Sequence, residues 1–286
     1  VQPMGVSYNS YLILDEKIAV MDSVDARAAD EWLAKLAHEL DGRSPDYLVI
    51  SHMEPDHSGS ILRLAERYPE MQLVGNAKTF AMLRQFFGAK APTDDRLLEV
   101  GEGETLPLGA HTLHFMLAPM VHWPEVMVAY EETEKLLFSA DAFGRFGSLG
   151  RTANAPWAPQ ARRYYYNIVG KYGAQVQALL KKASALEIKT VCPLHGPVLT
   201  GEALGEALRL YDLWSRWQSE SPDDILLAHA SIHGNTARAA ELLKQKLEAK
   251  GARVTLCDLT TTEVSYAVAN AFYCGKLVLA CSTYDG

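Results

Sequence analysis

Four side chains able to hold a metal ion stand between positions 52 and 57: His52, Glu54, Asp56 and His57. The apolar run Tyr47-Leu48-Val49-Ile50 before them reads as a buried strand, and residues 61–68 after them have helical periodicity. In an extended segment alternate side chains point the same way, so His52, Glu54 and Asp56 are expected to converge on one small volume. Three more candidates stand on loops at strand ends: His122 in Pro-Met-Val-His-Trp-Pro-Glu, Asp141 closing Leu-Leu-Phe-Ser-Ala-Asp, and His195 in Pro-Leu-His-Gly-Pro. Singly, each has a plainer reading, as a packed histidine, a turn or cap aspartate, and a loop histidine. Together they offer nitrogen and oxygen donors in a number that calls for metal chemistry.

A second stretch, Ser231-Ile232-His233-Gly234-Asn235-Thr236, stands between a strand and a helix. Backbone N–H groups there, the helix N-terminus and the hydroxyls of Ser231 and Thr236 can cradle a phosphate. Gly101-Glu102-Gly103-Glu104-Thr105 invites the same reading, but no helix follows it, and Pro107 and Gly109 mark a hairpin instead.

The elements that must position these residues follow from patterning. Residues 8–14 and 18–23 read as a β-hairpin around Asp15-Glu16-Lys17, and residues 25–40 as an amphipathic helix ended near Gly42. Residues 71–74 form a strand and residues 79–87 a helix closed by Gly88. Between Arg96 and Phe138 the pattern turns to short strands. Residues 161–182 read as a helix in which Tyr164, Tyr165 and Tyr166 serve packing, residues 189–192 as a strand, and residues 202–217 as a helix. The polar stretch 219–224 carries the breaker Pro222 and marks a boundary. After it come a strand (225–230), a helix (237–250), a strand (254–256), a helix (264–272) and a strand (277–280), the start of a doubly wound parallel sheet.

At 286 residues the chain has room for two domains of about 150 residues each. Apolar residues make up 48% and charged ones 22%, enough to bury a core. A net charge of −8 argues against a nucleic-acid or membrane surface as partner, and no apolar run approaches the roughly 18 residues a membrane span needs. No secretory signal is visible. The four cysteines form no CxxC pair, which fits a reducing cytoplasm; Cys192, near His195, reads as a small buried hydrophobe. The chain begins at Val1 without an initiator Met and stops at Gly286 in mid-pattern, which reads as a fragment.

The His-x-Glu-x-Asp-His loop, followed by a His, an Asp and a His on successive strand ends, resembles the binuclear site of the metallo-β-lactamase superfamily. More narrowly it resembles the flavodiiron proteins (A-type flavoproteins), which carry glutamate at the motif's second position where zinc hydrolases usually carry histidine. Asn9-Ser10-Tyr11-Leu12-Ile13, His122-Trp123-Pro124-Glu125, Ser139-Ala140-Asp141-Ala142-Phe143-Gly144 and His195-Gly196-Pro197 extend the resemblance over nearly the whole chain. It implies an α/β protein: a metallo-β-lactamase-like αββα sandwich (residues 1–218), a linker (219–224) and a truncated flavodoxin-like doubly wound parallel sheet (225–286).

It further implies that His52, Glu54 and His122 hold one iron, Asp56 and His195 the other, and that Asp141 bridges them. His57 matches the motif, yet the resemblance implies a ring turned away from the metal; were it to bind, zinc would gain ground. Trp123, Glu125 and Tyr8 are expected around the ligands. Carboxylate in place of imidazole raises the anionic oxygen share, which suits iron cycling between ferrous and ferric better than zinc. Ser231, Ile232, His233, Gly234, Asn235 and Thr236 resemble the FMN-phosphate loop of flavodoxins. Ser282, Thr283, Tyr284 and Asp285 resemble the next flavin-contacting loop, at the switch point of the sheet. Strands four and five of such a sheet are not in this stretch, which leaves one edge open.

The function implied is an oxidoreductase that reduces dioxygen to water or nitric oxide to nitrous oxide at a non-haem diiron centre fed by FMN. Rubredoxin or a flavin reductase would supply electrons, and the assembly would be a head-to-tail homodimer in the cytoplasm. A zinc-dependent hydrolase and a non-catalytic flavin electron carrier are the rival readings.

Overall fold

A computed structural model describes residues 4–283. The expected hairpin forms from β1 (Tyr11–Ile13) and β2 (Ala19–Met21), with Leu12 opposite Val20. β2 continues in parallel with β3 (Tyr47–Val49), then β4 (Gln72–Gly75) and β5 (Leu97–Glu99), giving a five-stranded sheet in chain order. The helices between these strands are α1 (Ala29–Leu40), α2 (Pro55–Ser58), α3 (Ile61–Arg67) and α4 (Ala77–Phe87). α1 buries Leu33, Leu36 and Leu40 at helical spacing and stops where Asp41 and Gly42 turn left-handed. α4 begins where the Asn76 side chain accepts from the backbone N–H groups of Lys78 and Thr79.

The second sheet has six strands: β6 (Thr105–Pro107), β7 (Thr112–Leu117), β8 (Met127–Glu131), β9 (Leu136–Phe138), β10 (Thr190–Cys192) and β11 (Leu199–Thr200), in the order β11-β10-β9-β8-β7-β6. Its helices are α5 (Leu149–Thr152), α6 (Trp157–Tyr164), α7 (Gly173–Ala183) and α8 (Gly201–Ser215). The single helix expected over 161–182 is instead α6 and α7 separated by a π turn at Tyr165–Val169 and a tight turn at Gly170–Tyr172. α7 then starts at a close approach to the end of α8 that only glycine allows: a Cβ on Gly173 would lie 2.4 Å from the Ser215 carbonyl oxygen.

Three apolar layers make this an αββα sandwich. Met21, Val49, Val74, Phe115, Met127, Ala129 and Phe138 pack between the sheets. Leu33, Leu36, Leu48, Ile61, Leu64, Phe80 and Leu83 fill the space under α1, α3 and α4. Val128, Tyr130, Leu137, Tyr165, Val176, Leu210 and Trp214 fill the space under α6, α7 and α8. β8 shows the logic in five residues: Met127 and Ala129 face the other sheet while Val128 and Tyr130 face the helices, so all are buried.

Beyond α8 the chain forms β12 (Ser221–His229), α9 (Asn235–Glu248), β13 (Val254–Asp258), α10 (Val264–Tyr273) and β14 (Cys274–Ala280). The three strands are parallel, in the order β13-β12-β14. Ser221 already opens β12, so the polar stretch connects the halves only as far as Glu220. Arg253 draws that stretch into the sheet by donating to Asp224 (2.5 Å) and Ser221 (3.1 Å). β14 is an edge strand, with Leu277 50% and Leu279 69% exposed.

The residues with metal-binding chemistry all follow the C-terminal ends of β3, β7, β9 and β10, so one rim of the sandwich carries them. Gly59 locks α2 onto that rim. A Cβ there would meet the Pro55 carbonyl oxygen at 2.7 Å and the Ala26 amide nitrogen at 2.8 Å, both main-chain atoms that cannot yield cheaply. Gly59→Ala is expected to cost about 1–3 kcal/mol and to lower the thermal midpoint by a few degrees. Gly205→Ala, on the exposed face of α8 with nothing within 4 Å, should raise it slightly. Thermal unfolding of the two variants checks both signs.

Candidate metal centre

The first ligand-bearing loop is fixed from behind. Asp22, buried and left-handed at φ 56°, accepts from the backbone N–H groups of Ser51 (2.7 Å) and His52 (3.3 Å). The loop stays extended only through Glu54, because Pro55 starts the single turn of α2. The expected alternation therefore fails at Asp56. The turn separates Asp56 from His52 and Glu54 and delivers it, with His57, to a second group of donors.

The other loops are laced as tightly. Asn9 donates to the carbonyls of Pro193 and Gly196 (2.8 Å each), and the Tyr11 hydroxyl donates to Pro193 (2.7 Å), which pins the His195 loop to the N-terminal segment. Asp141 sits in a tight turn where Ala140 and Phe143 are both left-handed. Asn76 donates to the Glu125 carbonyl (2.6 Å) and ties the His122 loop to α4.

Two donor groups result. His52, Glu54, His122 and Asp141 form one, with His122 Nε2 3.1 Å from both Glu54 Oε2 and Asp141 Oδ2, and His52 Nε2 3.3 Å from Glu54 Oε2. Asp56, His57 and His195 form the other, with the two imidazole Nε2 atoms 3.1 Å apart and Asp56 Oδ2 3.5 and 3.4 Å from them. Asp141 lies between: Oδ2 faces the first group, and Oδ1 stands 3.2 Å from His57 and 3.6 Å from His195 with no hydrogen bond of its own.

His57 is not turned away. It is buried with Nε2 inside the pocket, because the α2 turn aims it inward and Ser23 Oγ holds its carbonyl at 2.5 Å. Two ring nitrogens meeting at 3.1 Å need a proton or a cation between them. His195 donates from Nδ1 to the Ser7 carbonyl (2.8 Å) and His52 from Nδ1 to Glu125 (2.7 Å), so both direct Nε2 inward. Trp123 meets the His52 ring edge-on at 5.2 Å, and Tyr8 meets His195 edge-on at 5.9 Å.

The electrostatics of the protein without metal are those of a proton-filled cage. Hydrogen bonds from His122 and His52 hold the Glu54 carboxyl down at about 2. Burial works against charge on Asp141, but the facing imidazoles hold it well below the usual carboxylate range. Burial likewise opposes charge on His52, yet the Asp141 charge and the bonds to Glu125 and Glu54 push it up to about 10. His57 and His122 rise through the same competition, while burial and the His57 charge push His195 down. The cage opens on one side, where the side chains of Glu54 (35%) and Asp56 (24%) reach solvent.

Tyr164, expected only to pack, borders the site. It is buried with its ring 5.5 Å from that of His195, and burial together with the facing Asp141 charge pushes its phenol well up. Nothing in a run of three tyrosines distinguishes it. Asp22 was also missed; an aspartate at a strand end is too common to read. Cys192 lies between the sheets, its thiol pushed up to about 12 by burial.

At the other candidate site, Gly234 is left-handed (φ 82°) immediately before α9, and Ser231 Oγ is buried without a partner. Ile232, His233, Gly234 and Asn235 are exposed there, and Thr236 is half-buried. Ser282 and Thr283 follow β14 at the same sheet end, since Ala280 pairs with His229; Tyr284 and Asp285 lie outside the described residues.

Residues 6–196 match the model of the ODP family beta lactamase. The chain is 29% identical to the nitric oxide reductase of Moorella thermoacetica over 91% of its own length and 65% of the relative's. It is 29% identical to the rubredoxin-oxygen oxidoreductase of Megalodesulfovibrio gigas, covering 99% of this chain and 71% of that one. The crystal structure of the flavodiiron protein from Giardia intestinalis superposes with a TM-score of 0.90 at 29% identity, covering 97% of this chain and 68% of that one. Other curated relatives are longer: the chain spans 45% of the length of one that is 33% identical to it.

Because the folded values of His52, His57 and His122 are raised, their contribution to stability is full below the ordinary imidazole value of about 6.5. It is lost as pH rises through the folded values, about 10 for His52. Glu54, held down, contributes above its ordinary value of about 4.3 and loses that as pH falls toward 2. Metal-free protein should therefore show a thermal midpoint that falls between pH 6.5 and 10. Loading with a divalent metal near neutrality should release protons. Calorimetry in two buffers of different ionisation heat measures that release, and a result of none would mean neutral imidazoles.

Proposed function

The chain belongs to the flavodiiron protein family, and from that premise we propose that it is an oxidoreductase reducing dioxygen to water or nitric oxide to nitrous oxide at a diiron centre. One observation carries the reading: Asp141 turns one carboxylate oxygen to each of two donor groups, and Oδ1 is buried without a hydrogen bond. His52, Glu54 and His122 would hold one iron and Asp56, His57 and His195 the other, with Asp141 offering an oxygen to each. The inclusion of His57 revises the set the motif implies. Iron bound there would supply electrons to a diatomic molecule.

The chain's own groups do the remaining work. Glu125 and the Ser7 carbonyl fix the rings of His52 and His195, so both Nε2 atoms point inward and only a proton has to leave His52. Glu54, Asp56 and Asp141 would offset the charge of two cations in a pocket that is otherwise buried. Glu54 and Asp56 line the exposed side, where a small molecule can enter. The Tyr164 phenol keeps its proton beside Asp141 and can donate at the buried side. Four imidazoles would also suit zinc, the metal of the hydrolase reading. Glu54 and the attached parallel sheet favour iron with a flavin.

FMN supplies electrons when bound, and the loop before α9 fits its phosphate. The orphaned Ser231 hydroxyl, the left-handed Gly234 and the N-terminus of a 14-residue helix converge there, with Asn235 and Thr236 opening that helix. Ile232, His233, Ser282, Thr283, Tyr284 and Asp285 are assigned to flavin contact on the same reading. Residues 1–218 are the metal unit, 219–224 the connection and 225–286 the flavin unit, with β12 beginning inside that connection. The electron donor is rubredoxin or a flavin reductase, the assembly a head-to-tail pair of copies, and the setting the cytoplasm. No helix among the described residues is long and apolar enough to cross a membrane.

His122→Ala should remove dioxygen and nitric oxide consumption by the full-length protein and leave reduction of its flavin by the donor intact. Oxygen- and nitric-oxide-electrode rates, with iron, zinc and FMN counted in the same sample, check this. Two zinc ions with hydrolase activity, and no iron after iron-replete growth, would overturn it.

A further inference from the structure

One turn of chain touches both halves of the molecule. α6 ends in Arg162-Arg163-Tyr164 and runs into the π turn, whose extra residue redirects consecutive side chains to different neighbours. Arg162 forks onto Glu220 (2.5 and 2.9 Å) and lies 4.4 Å above the Tyr273 ring. Tyr166 stacks on Phe272 of α10 at 4.1 Å, nearly parallel.

Arg163 is the most enclosed of these, only 2% exposed. It donates to Ser265 Oγ (2.6 Å) and pairs with Glu263, both at the start of α10. Its guanidinium lies between two rings, 3.9 Å from Tyr266 of α10 and 4.9 Å from Phe146 of the metal half. A guanidinium so desolvated and stacked has few other positions open to it. Phe146 in turn packs edge-on against Tyr164 at 5.2 Å, and Tyr164 faces His195 and Asp141. A continuous line of contacts thus runs from α10 through Arg163 and Phe146 to the rim of the cage. It has no slack at its far end: a Cβ on Gly144 would lie 3.3 Å from both Tyr164 and His195.

We propose that Arg163 is a positioning residue for the metal centre, holding Tyr164 against Asp141 and His195 through the docked α10 of the C-terminal half. The proposal rests on the cage being a metal centre, but not on the metal being iron. It makes the surroundings of Asp141 depend on residues of the other half, none of which touches the cage. In consequence the metal half alone would carry a looser Tyr164 than the whole chain.

Cobalt(II) is the probe, since its visible ligand-field bands report geometry at sites that take either iron or zinc. The full chain, freed of metal and reloaded with cobalt alone, is compared with Arg163→Lys, Tyr266→Ala, Glu263→Gln and Tyr164→Phe. The expected result is a shift of the bands in all four at unchanged cobalt per chain, with the double variant Tyr164→Phe/Tyr266→Ala no further shifted than Tyr164→Phe. Leu277→Ser, on the open edge of the same sheet, should leave the bands in place. Bands unmoved by Tyr266→Ala and Glu263→Gln but moved by Tyr164→Phe would overturn the proposal, as would bands that Tyr164→Phe does not move. Failure of the unaltered chain to bind cobalt would overturn the metal reading and the proposal with it. If Arg163→Lys does not fold, the two α10 variants carry the test, because Glu263 is half exposed and Tyr266 lies outside the sandwich.

Discussion

A fully buried carboxylate has to be answered by positive charge, and Asp141 is answered on two sides at once. His52 and His122 stand near one oxygen, His57 and His195 near the other. An ionised carboxylate left unpaired in such a place would cost several kcal/mol. Without metal the answer is protons on the imidazoles; with metal it is cations, and the protons must leave. The same groups can therefore satisfy each other's charge in either state. That economy explains why so many ionisable groups can share a core without opening it.

Holding them in register falls to backbone that few sequences would adopt. Asp22, Met120, Ala140 and Phe143 are all left-handed without being glycine, and each lies beside a ligand loop. Such residues carry strain that the surroundings must enforce. Here both sheets enforce it: the Met127 N–H donates to the Ser51 carbonyl (3.1 Å), the Leu194 N–H to Ala140 (2.9 Å) and the Ala118 N–H to Val126 (2.8 Å). Loops from different strands are stitched to one another instead of to water. The rim is rigid because the sandwich beneath it is packed on three levels.

Much of this was legible in order of appearance along the chain. The strand-end histidines and carboxylates stand out by their number and spacing and not by any one of them, and strand and helix periods located those loops within a few residues. What failed was geometry set by a single residue. Pro55 converts an extended loop into a helical turn, which moves Asp56 to the second group and turns His57 inward. No periodicity reports where one turn of helix will point a ring. Tyr164 failed for a different reason: its neighbours Tyr165 and Tyr166 do pack, against Trp214 and Phe272, and only the π turn sets the three apart. Ser221 was hidden because its strand begins on polar residues, anchored by Arg253 across 32 positions.

The two halves meet through charge and rings more than through a shared aliphatic core. Arg162 and Arg163 each combine a carboxylate partner with an aromatic face, and Trp214 of the metal half donates to the same Glu220 that Arg162 grips (2.7 Å). Contacts of this kind are directional, so they hold one orientation and resist sliding in a way that apolar faces do not. A parallel sheet held at one orientation against the sandwich needs that kind of joint. Leucine or methionine in place of the arginines would still bury apolar surface but would let the halves rock. Orientation, then, and not only adhesion, is what two adjacent arginines at the end of α6 provide.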